Sequence, residues 1–250
     1  MDLALKGKTA VVTGASMGIG RAITKRLASE GVRVAAVARR IELLEALKAE
    51  IEEAGGVSPN LITQDILVEG APKALQEAAE AALGQVDILV NNVGGSRPIE
   101  LDGPEEKWTE AHLLNFTRPR QLTHHIVRGM IERRWGRVIN ITGKSEPERL
   151  SPTGSAKAAT HAWSKALSRE VGKYGITVNC IPPGRIMSEQ ILVKYPPEYR
   201  KEFAEKEIPV GYWGEPDDLA VMVTFLASPL AHYITGAVIP VDGGLRRYQF

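Results

Sequence analysis

The chain has 250 residues, 44% of them hydrophobic and 24% charged, a globular composition long enough for one large α/β domain with a buried core. A net charge of +1 excludes the concentrated basic excess that nucleic-acid phosphates demand, and no apolar run is long enough to span a bilayer. The single cysteine, Cys180, excludes an intrachain disulfide and, with an N-terminus that lacks signal-peptide features, leads to the expectation of a reducing, cytoplasmic setting.

Strand-like and helix-like runs alternate along the chain. Thr9–Thr13 reads as a short apolar strand, followed by a glycine turn and a helix over 21–30. A strand over 32–38 leads into a helix over 41–54, and a strand over 61–64 into a helix over 72–83. A strand over 86–91 precedes a long helical region, roughly 105–133, which Pro119 interrupts or offsets. A strand over 137–141, a helix over 155–173, a strand over 177–181, a helix over 216–227 and a last strand over 237–241 complete the series. The strands are continuous and rich in valine and isoleucine, as in a parallel sheet covered on both faces. The alternation predicts a doubly wound parallel sheet, a Rossmann fold, with right-handed crossovers. Without repeats or a flexible linker, residues 1–250 read as one domain. The least regular stretch, from Pro182 to Gly214, holds five prolines and is read as containing a substrate lid over about 185–214.

Three stretches carry chemistry. The first is Thr13-Gly14-Ala15-Ser16-Met17-Gly18-Ile19-Gly20, between the first strand and the first helix. Glycines there let the backbone approach a pyrophosphate, and the following helix points free N–H groups and its positive dipole end at that anion. The spacing differs from G-x-G-x-x-G, so position in the fold supports the reading more than the motif does. The second is the end of the second strand, Val37-Ala38-Arg39-Arg40, which has no acid before Glu42. An acid there suits a ribose hydroxyl, whereas arginine suits a 2′-phosphate, so NADP(H) is expected over NAD(H). The third is Asn140–Ala159, which runs from an apolar strand end through a charged loop to a helix carrying Lys157. Cys180, inside the apolar run Ile176–Ile181, reads as a buried structural thiol.

Further residues complete a pattern over essentially the whole chain: Asp65 with Ile66, Asn91-Asn92-Val93-Gly94, Asn115, Pro183-Gly184 with Ile186 and Ser188, Gly211, Gly214-Glu215-Pro216 and Val241-Asp242-Gly243-Gly244. With the glycine turn, they make the chain resemble the short-chain dehydrogenase/reductase family, most closely its bacterial 3-oxoacyl-carrier-protein reductase-like members. The resemblance implies hydride transfer between NADP(H) and a carbonyl or alcohol, with no metal, in a homotetramer. It implies cofactor contacts from Gly14, Ser16, Met17, Gly18, Ile19, Gly20, Arg39, Arg40, Asp65, Ile66, Asn92, Val93, Gly94, Lys157, Pro183, Gly184, Ile186 and Ser188. It also implies an active site of an asparagine (Asn115), a serine, a tyrosine and the lysine four residues after it.

Two of those four positions depart from the family. Thr153 stands where the tyrosine belongs, on the same helix face as Lys157. A phenol has a pKa near 10, within a neighbouring ammonium's influence, whereas an aliphatic alcohol is far less acidic and shorter. Thr142 and Gly143 fall around the serine, with Ser145 two residues into a shortened loop. Candidate active-site residues are therefore Asn115, Thr142, Thr153 and Lys157. Three explanations stay open. The proton comes from Lys157, from a loop residue such as Lys144 or Glu146, or from water; or the protein binds NADP(H) without ordinary dehydrogenase activity, as a sensor, partner subunit or vestigial enzyme; or Tyr195, Tyr199, Tyr212 or Tyr248 fills the gap. Arg97, Lys144, Arg149 and Arg185 lie near strand carboxyl ends and suggest an anionic small-molecule substrate. Alanines on several faces of the helix carrying Lys157 suit close helix approach in an oligomer.

Overall fold

Valine, isoleucine and alanine runs form six parallel strands: β1 (Thr9–Thr13), β2 (Arg33–Ala38), β3 (Asn60–Thr63), β4 (Ile88–Asn91), β5 (Gly136–Ile141) and β6 (Ile176–Ile181). In this computed structural model, which describes residues 1–95, 99–144 and 150–247, they form one sheet in the order β3-β2-β1-β4-β5-β6. The order reverses between β1 and β4, the switch point where ligands bind in open α/β sheets.

Alternate strand residues face opposite layers. Val12, Val34, Ile88 and Ile139 pack beneath α1 (Gly18–Ser29), α2 (Ile41–Glu53) and α9 (Pro216–Ala227). Val11, Val37, Leu89, Val138 and Val178 pack beneath α3 (Ala71–Leu83) and α5 (Arg118–Arg133), with Val171 at the end of α6 (Pro152–Val171). This is the expected single-domain doubly wound α/β fold. No described helix is long and apolar enough to cross a membrane.

One local feature refines the sequence reading, the expected interruption near Pro119, and three differ from it. The region 105–133 is not one regular helix: α4 (Glu105–His112) passes through a π-helical segment, Leu113–Thr117, before α5 begins. Pro119 has no N–H to offer the carbonyl of Asn115, and Thr160 Oγ1 donates to that carbonyl instead at 3.3 Å. The helix expected from 155 starts at Pro152, because Ser151 accepts the Gly154 N–H and caps it. The last strand is reduced to isolated parallel bridges, Cys180 with Val238 and Pro183 with Val241. Ladder bonds flank the break (Cys180 N to Ala237 O, Val241 N to Pro182 O), but Pro182 has no N–H to continue it. The 182–214 stretch contains two short helices, α7 (Glu189–Lys194) and α8 (Pro197–Glu207), each closely followed or preceded by proline or aromatic residues.

Candidate active site

The glycine turn after β1 is fixed to the turn after β4. Thr13 Oγ1 accepts from the N–H groups of Asn92 and Val93 at 3.0 and 3.1 Å, and Asn92 Nδ2 donates to the carbonyls of Thr13 and Gly14. Gly14 has φ +69°, and a Cβ on Gly20 would stand 2.2 Å from the Gly14 carbonyl oxygen. Side chains at these two positions would strain or block the turn, so the glycines serve a close approach of helix, turn and ligand.

A groove of about 620 Å³ runs over this turn. Gly14, Ser16, Met17, Gly18 and Ile19 form its floor, and Arg39, Arg40, Asp65 and Ile66 its outer end. Asn92, Val93, Gly94 and Gly95 lead inward, while Ile186, Met187, Ser188, Glu189 and Lys194 form a wall. The size, the glycine floor and the N-terminus of α1 fit a dinucleotide. Of the expected contact residues, Gly20, Pro183, Gly184 and Lys157 stand behind the lining. Gly184 is part of the backbone: its N–H donates to Val241 O, and a Cβ there would meet Asp242 at 2.5 Å.

At the outer end Arg39 lies 3.9 Å from Asp65, and its side chain is 74% exposed, free to turn toward a phosphate. Asp65 also accepts the Leu67 N–H, which holds its carboxylate at the groove edge. Arg40 reaches back to the sulfur of Met17.

At the inner end Lys157 Nζ donates to the Ile141 carbonyl at 2.9 Å, where β5 ends. A Cβ on Gly94 would stand 3.1 Å from the same nitrogen, so this glycine leaves room for the ammonium beside the β4 turn. Burial pushes the Lys157 pKa down to about 8, with Cys180 opposing the shift more weakly. The Cys180 thiol is itself pushed up to about 11 by burial, against bonds from Ser164 and Asn140, which disfavours a reactive thiolate.

Thr153 Oγ1 donates to the Gly95 carbonyl at 3.1 Å. Asn115 grips the same peptide: its Oδ1 accepts the Gly95 N–H at 3.1 Å, and its Nδ2 donates to Gly95 O and Ala111 O at 3.2 and 2.9 Å. Two of the candidate active-site side chains thus converge on one backbone unit. Thr142, the third, is buried, and its hydroxyl pairs with His161 Nε2 at 2.8 Å. His161 escaped the sequence reading. Its spacing is the signal that marks it: it follows Lys157 by four residues on one helix face, so the two side chains reach Ile141 and Thr142 in turn. Met187, Glu189 and Lys194 of the groove wall were also missed, because their placement depends on how the 185–214 stretch folds back.

Among the tyrosines considered for the gap, Tyr195 and Tyr199 stack at 5.1 Å within the 185–214 stretch, and Tyr212 is exposed. Tyr248 lies outside the described residues, as do Arg97, Ser145, Glu146 and Arg149. Arg185 faces the rings of Phe203, Trp213 and Tyr195. No group of three or more His, Cys, Asp or Glu is placed to hold a metal ion among the described residues.

Residues 14–246 match a family model described as enoyl-(acyl carrier protein) reductase. The chain is 36% identical to a 3-oxoacyl-[acyl-carrier-protein] reductase of Pseudomonas aeruginosa over 97% of this chain and 99% of the relative. It is also 36% identical to an acetoacetyl-CoA reductase of Shinella zoogloeoides, over 95% and 98%. Among solved structures, an L-sorbose reductase of Gluconobacter frateurii complexed with NADPH and L-sorbose matches with a TM-score of 0.93 at 31% identity, over 99% of this chain and 100% of that one. A 7α-hydroxysteroid dehydrogenase complexed with NADH matches with a TM-score of 0.91, also at 31% identity, over 97% and 96%.

Proposed function

The chain belongs to the short-chain dehydrogenase/reductase family, and we propose that it is an NADP(H)-dependent oxidoreductase interconverting a carbonyl and an alcohol with an atypical proton donor. One observation carries this reading: a single groove joins a glycine turn and two arginines at one end to a turn that abuts the half-buried Lys157 side chain at the other. The NADPH held by the sorbose reductase and the oxo-substrate relatives support the same chemistry.

When bound, the cofactor supplies the hydride. The chain's own residues orient and protonate. Arg39, at the edge of the groove, offers its fork to a 2′-phosphate. Thr153 and Asn115 hold Gly95 and with it the turn from Asn92. In this proposal Lys157 Nζ, behind the groove lining, favours negative charge on the substrate oxygen and passes it the proton through water, the lowered pKa making that transfer easier near neutral pH. Thr153 acts by positioning.

A second reading has its own support. The Asn115 amide and a Thr153 bond are both engaged with Gly95, which suits a protein that binds NADP(H) without ordinary dehydrogenase activity. NADPH binding, measured beside turnover of a panel of carbonyl substrates, separates the two readings. Tight binding with no turnover favours the second. Gain of carbonyl reductase activity in Thr153→Tyr supports an intact scaffold that lost only its acid; no gain points to a remodelled site.

The proposal includes an anionic substrate and a homotetramer. Lys144, beyond the end of β5, supports the former, and loss of affinity with rising salt tests it. For the latter, Ala162 and Ala166 are exposed on α6, beside an aromatic group in which Phe116 and His124 flank Trp163 at 6.3 and 5.9 Å. A monomer in sedimentation refutes it.

A further inference from the structure

α7 is a helix of six residues with open space on two sides. One side is the nucleotide groove, walled by Met187, Ser188, Glu189 and Lys194. The other is a second cavity of about 650 Å³, bordered by Leu192 and by Arg21, Lys25 and Pro216 opposite. A helix this short has little stability of its own, and Ile191 packs it against the cluster of Ala204, Ile208, Trp213 and Leu245. Its position depends on that packing and on how its two ends are held.

The leading end is pinned by backbone. Met187 N donates to Gly214 O at 2.8 Å and Gly214 N to Arg185 O at 2.9 Å, a parallel bridge across the neck of the 185–214 stretch. Ser188 caps the helix by accepting the Ile191 N–H. Among the described residues the trailing end has no such backbone bridge. Tyr195, the residue after the helix, stacks on Tyr199 and stands 5.8 Å from Trp213. The guanidinium of Arg185 lies 4.8 Å from the Phe203 ring centroid, 5.7 Å from Trp213 and 5.9 Å from Tyr195. It joins both sides of the neck to the far end of α7.

We propose that Arg185 is a positioning residue for the cofactor: boxed by Tyr195, Phe203 and Trp213, it latches the trailing end of α7 and so fixes one wall of the nucleotide groove. The proposal rests on the reading of that groove as a dinucleotide site. It assigns this cation to the internal structure of the lid, where guanidinium–ring attraction in a partly desolvated setting is strongest.

The test compares wild type with Arg185→Met, which keeps apolar volume and removes the cation. NADPH is titrated by fluorescence, thermal unfolding is recorded, and chymotrypsin cleavage is timed without cofactor. The expected result is an NADPH Kd about tenfold weaker and faster cleavage after Tyr199, with a melting temperature within about 3 °C of wild type. Arg185→Lys, which keeps the charge but not the flat fork, is expected to fall between the two. Unchanged Kd and unchanged cleavage in Arg185→Met overturn the proposal. If wild type itself does not bind NADPH, the groove reading fails, while the cleavage comparison still decides the latch. If Arg185→Met does not fold, Arg185→Lys and Tyr195→Leu take its place, and wild-type Kd and cleavage in both overturn it.

Discussion

The hydroxyl of Thr153 donates to the carbonyl of Gly95 at 3.1 Å, tying the first turn of α6 to the turn that follows β4. At the position where the family resemblance implies a tyrosine, this side chain fastens two turns together. Asn115 holds the same carbonyl from the other side, so the joint keeps one donor if the threonine is lost.

That redundancy sets the expectation for Thr153→Val. Losing the hydrogen bond to Gly95 costs about 1 kcal/mol, because Gly95 O retains Asn115. NADPH affinity is expected to stay within about twofold of wild type, and turnover within about threefold, against the roughly 10²–10⁴-fold loss that removing a general acid brings. Steady-state kinetics and a thermal melt check both.

Lys157 gives a pH signature. Its folded pKa of about 8 lies below the ordinary 10.5, so between these values the unfolded chain binds more protons than the folded one. Stability therefore rises with pH across that window, and below pH 8 the full burial penalty stands. Lys157→Met removes both penalty and slope, so below pH 8 its melting temperature is expected to equal or exceed that of wild type. The same variant is expected to bind NADPH about tenfold more weakly at pH 7. Wild-type affinity should fall as pH rises past about 8, as the ammonium loses its charge. Melts and titrations at several pH values read all of these.

Arg39→Ala tests the choice of cofactor. A charge-assisted bond to a 2′-phosphate is worth about 1.5–3 kcal/mol, so NADPH affinity is expected to drop roughly 10- to 100-fold while NADH affinity barely moves. Equal loss for both cofactors contradicts the assignment.

Arg137 is the sharpest stability test. It is 1% exposed and bonds the carbonyls of Gly136, Gly175 and Ser228, with no carboxylate partner among the described residues. Burial pushes its pKa down to about 10. Ser228 and Gly175 follow the C-terminal ends of α9 and of the short turn after α6, so helix dipoles offset its charge. Arg137→Ala leaves a cavity and bare carbonyls and is expected to cost about 3 kcal/mol or more in denaturant melts. NADPH binding to the folded fraction should not change, because Arg137 lies at the opposite end of the sheet from the groove.

The fold was legible because its signals are local: short β-branched runs, helical alternation, and glycines where the backbone must turn tightly. The last strand was over-read because a proline in its neighbour, Pro182, decided the pairing. The π-helical turn at Asn115 depends on Pro119 together with a hydroxyl from α6, a contact 45 residues away. The turn over 14–19 that floors the groove, and the arginines at its outer end, were legible from their positions after β1 and β2. In the wall, Ile186 and Ser188 were named but Met187, Glu189 and Lys194 were not, since their placement depends on how the 185–214 stretch folds back. At the inner end the sequence named Asn115, Thr142, Thr153 and Lys157, but not what they would bond. That Thr153 and Asn115 meet at Gly95, and that His161 meets Thr142, are facts of packing between elements distant in the chain.

The most direct measurement takes purified protein, records NADPH binding, and in the same samples follows NADPH oxidation against a panel of carbonyl compounds, with Thr153→Val alongside. The predicted result is saturable binding, tighter for NADPH than for NADH, and turnover of at least one carbonyl that survives the loss of the Thr153 hydroxyl. Saturable binding with no turnover anywhere on the panel, or turnover abolished in Thr153→Val, would contradict an oxidoreductase that takes its proton from somewhere other than Thr153.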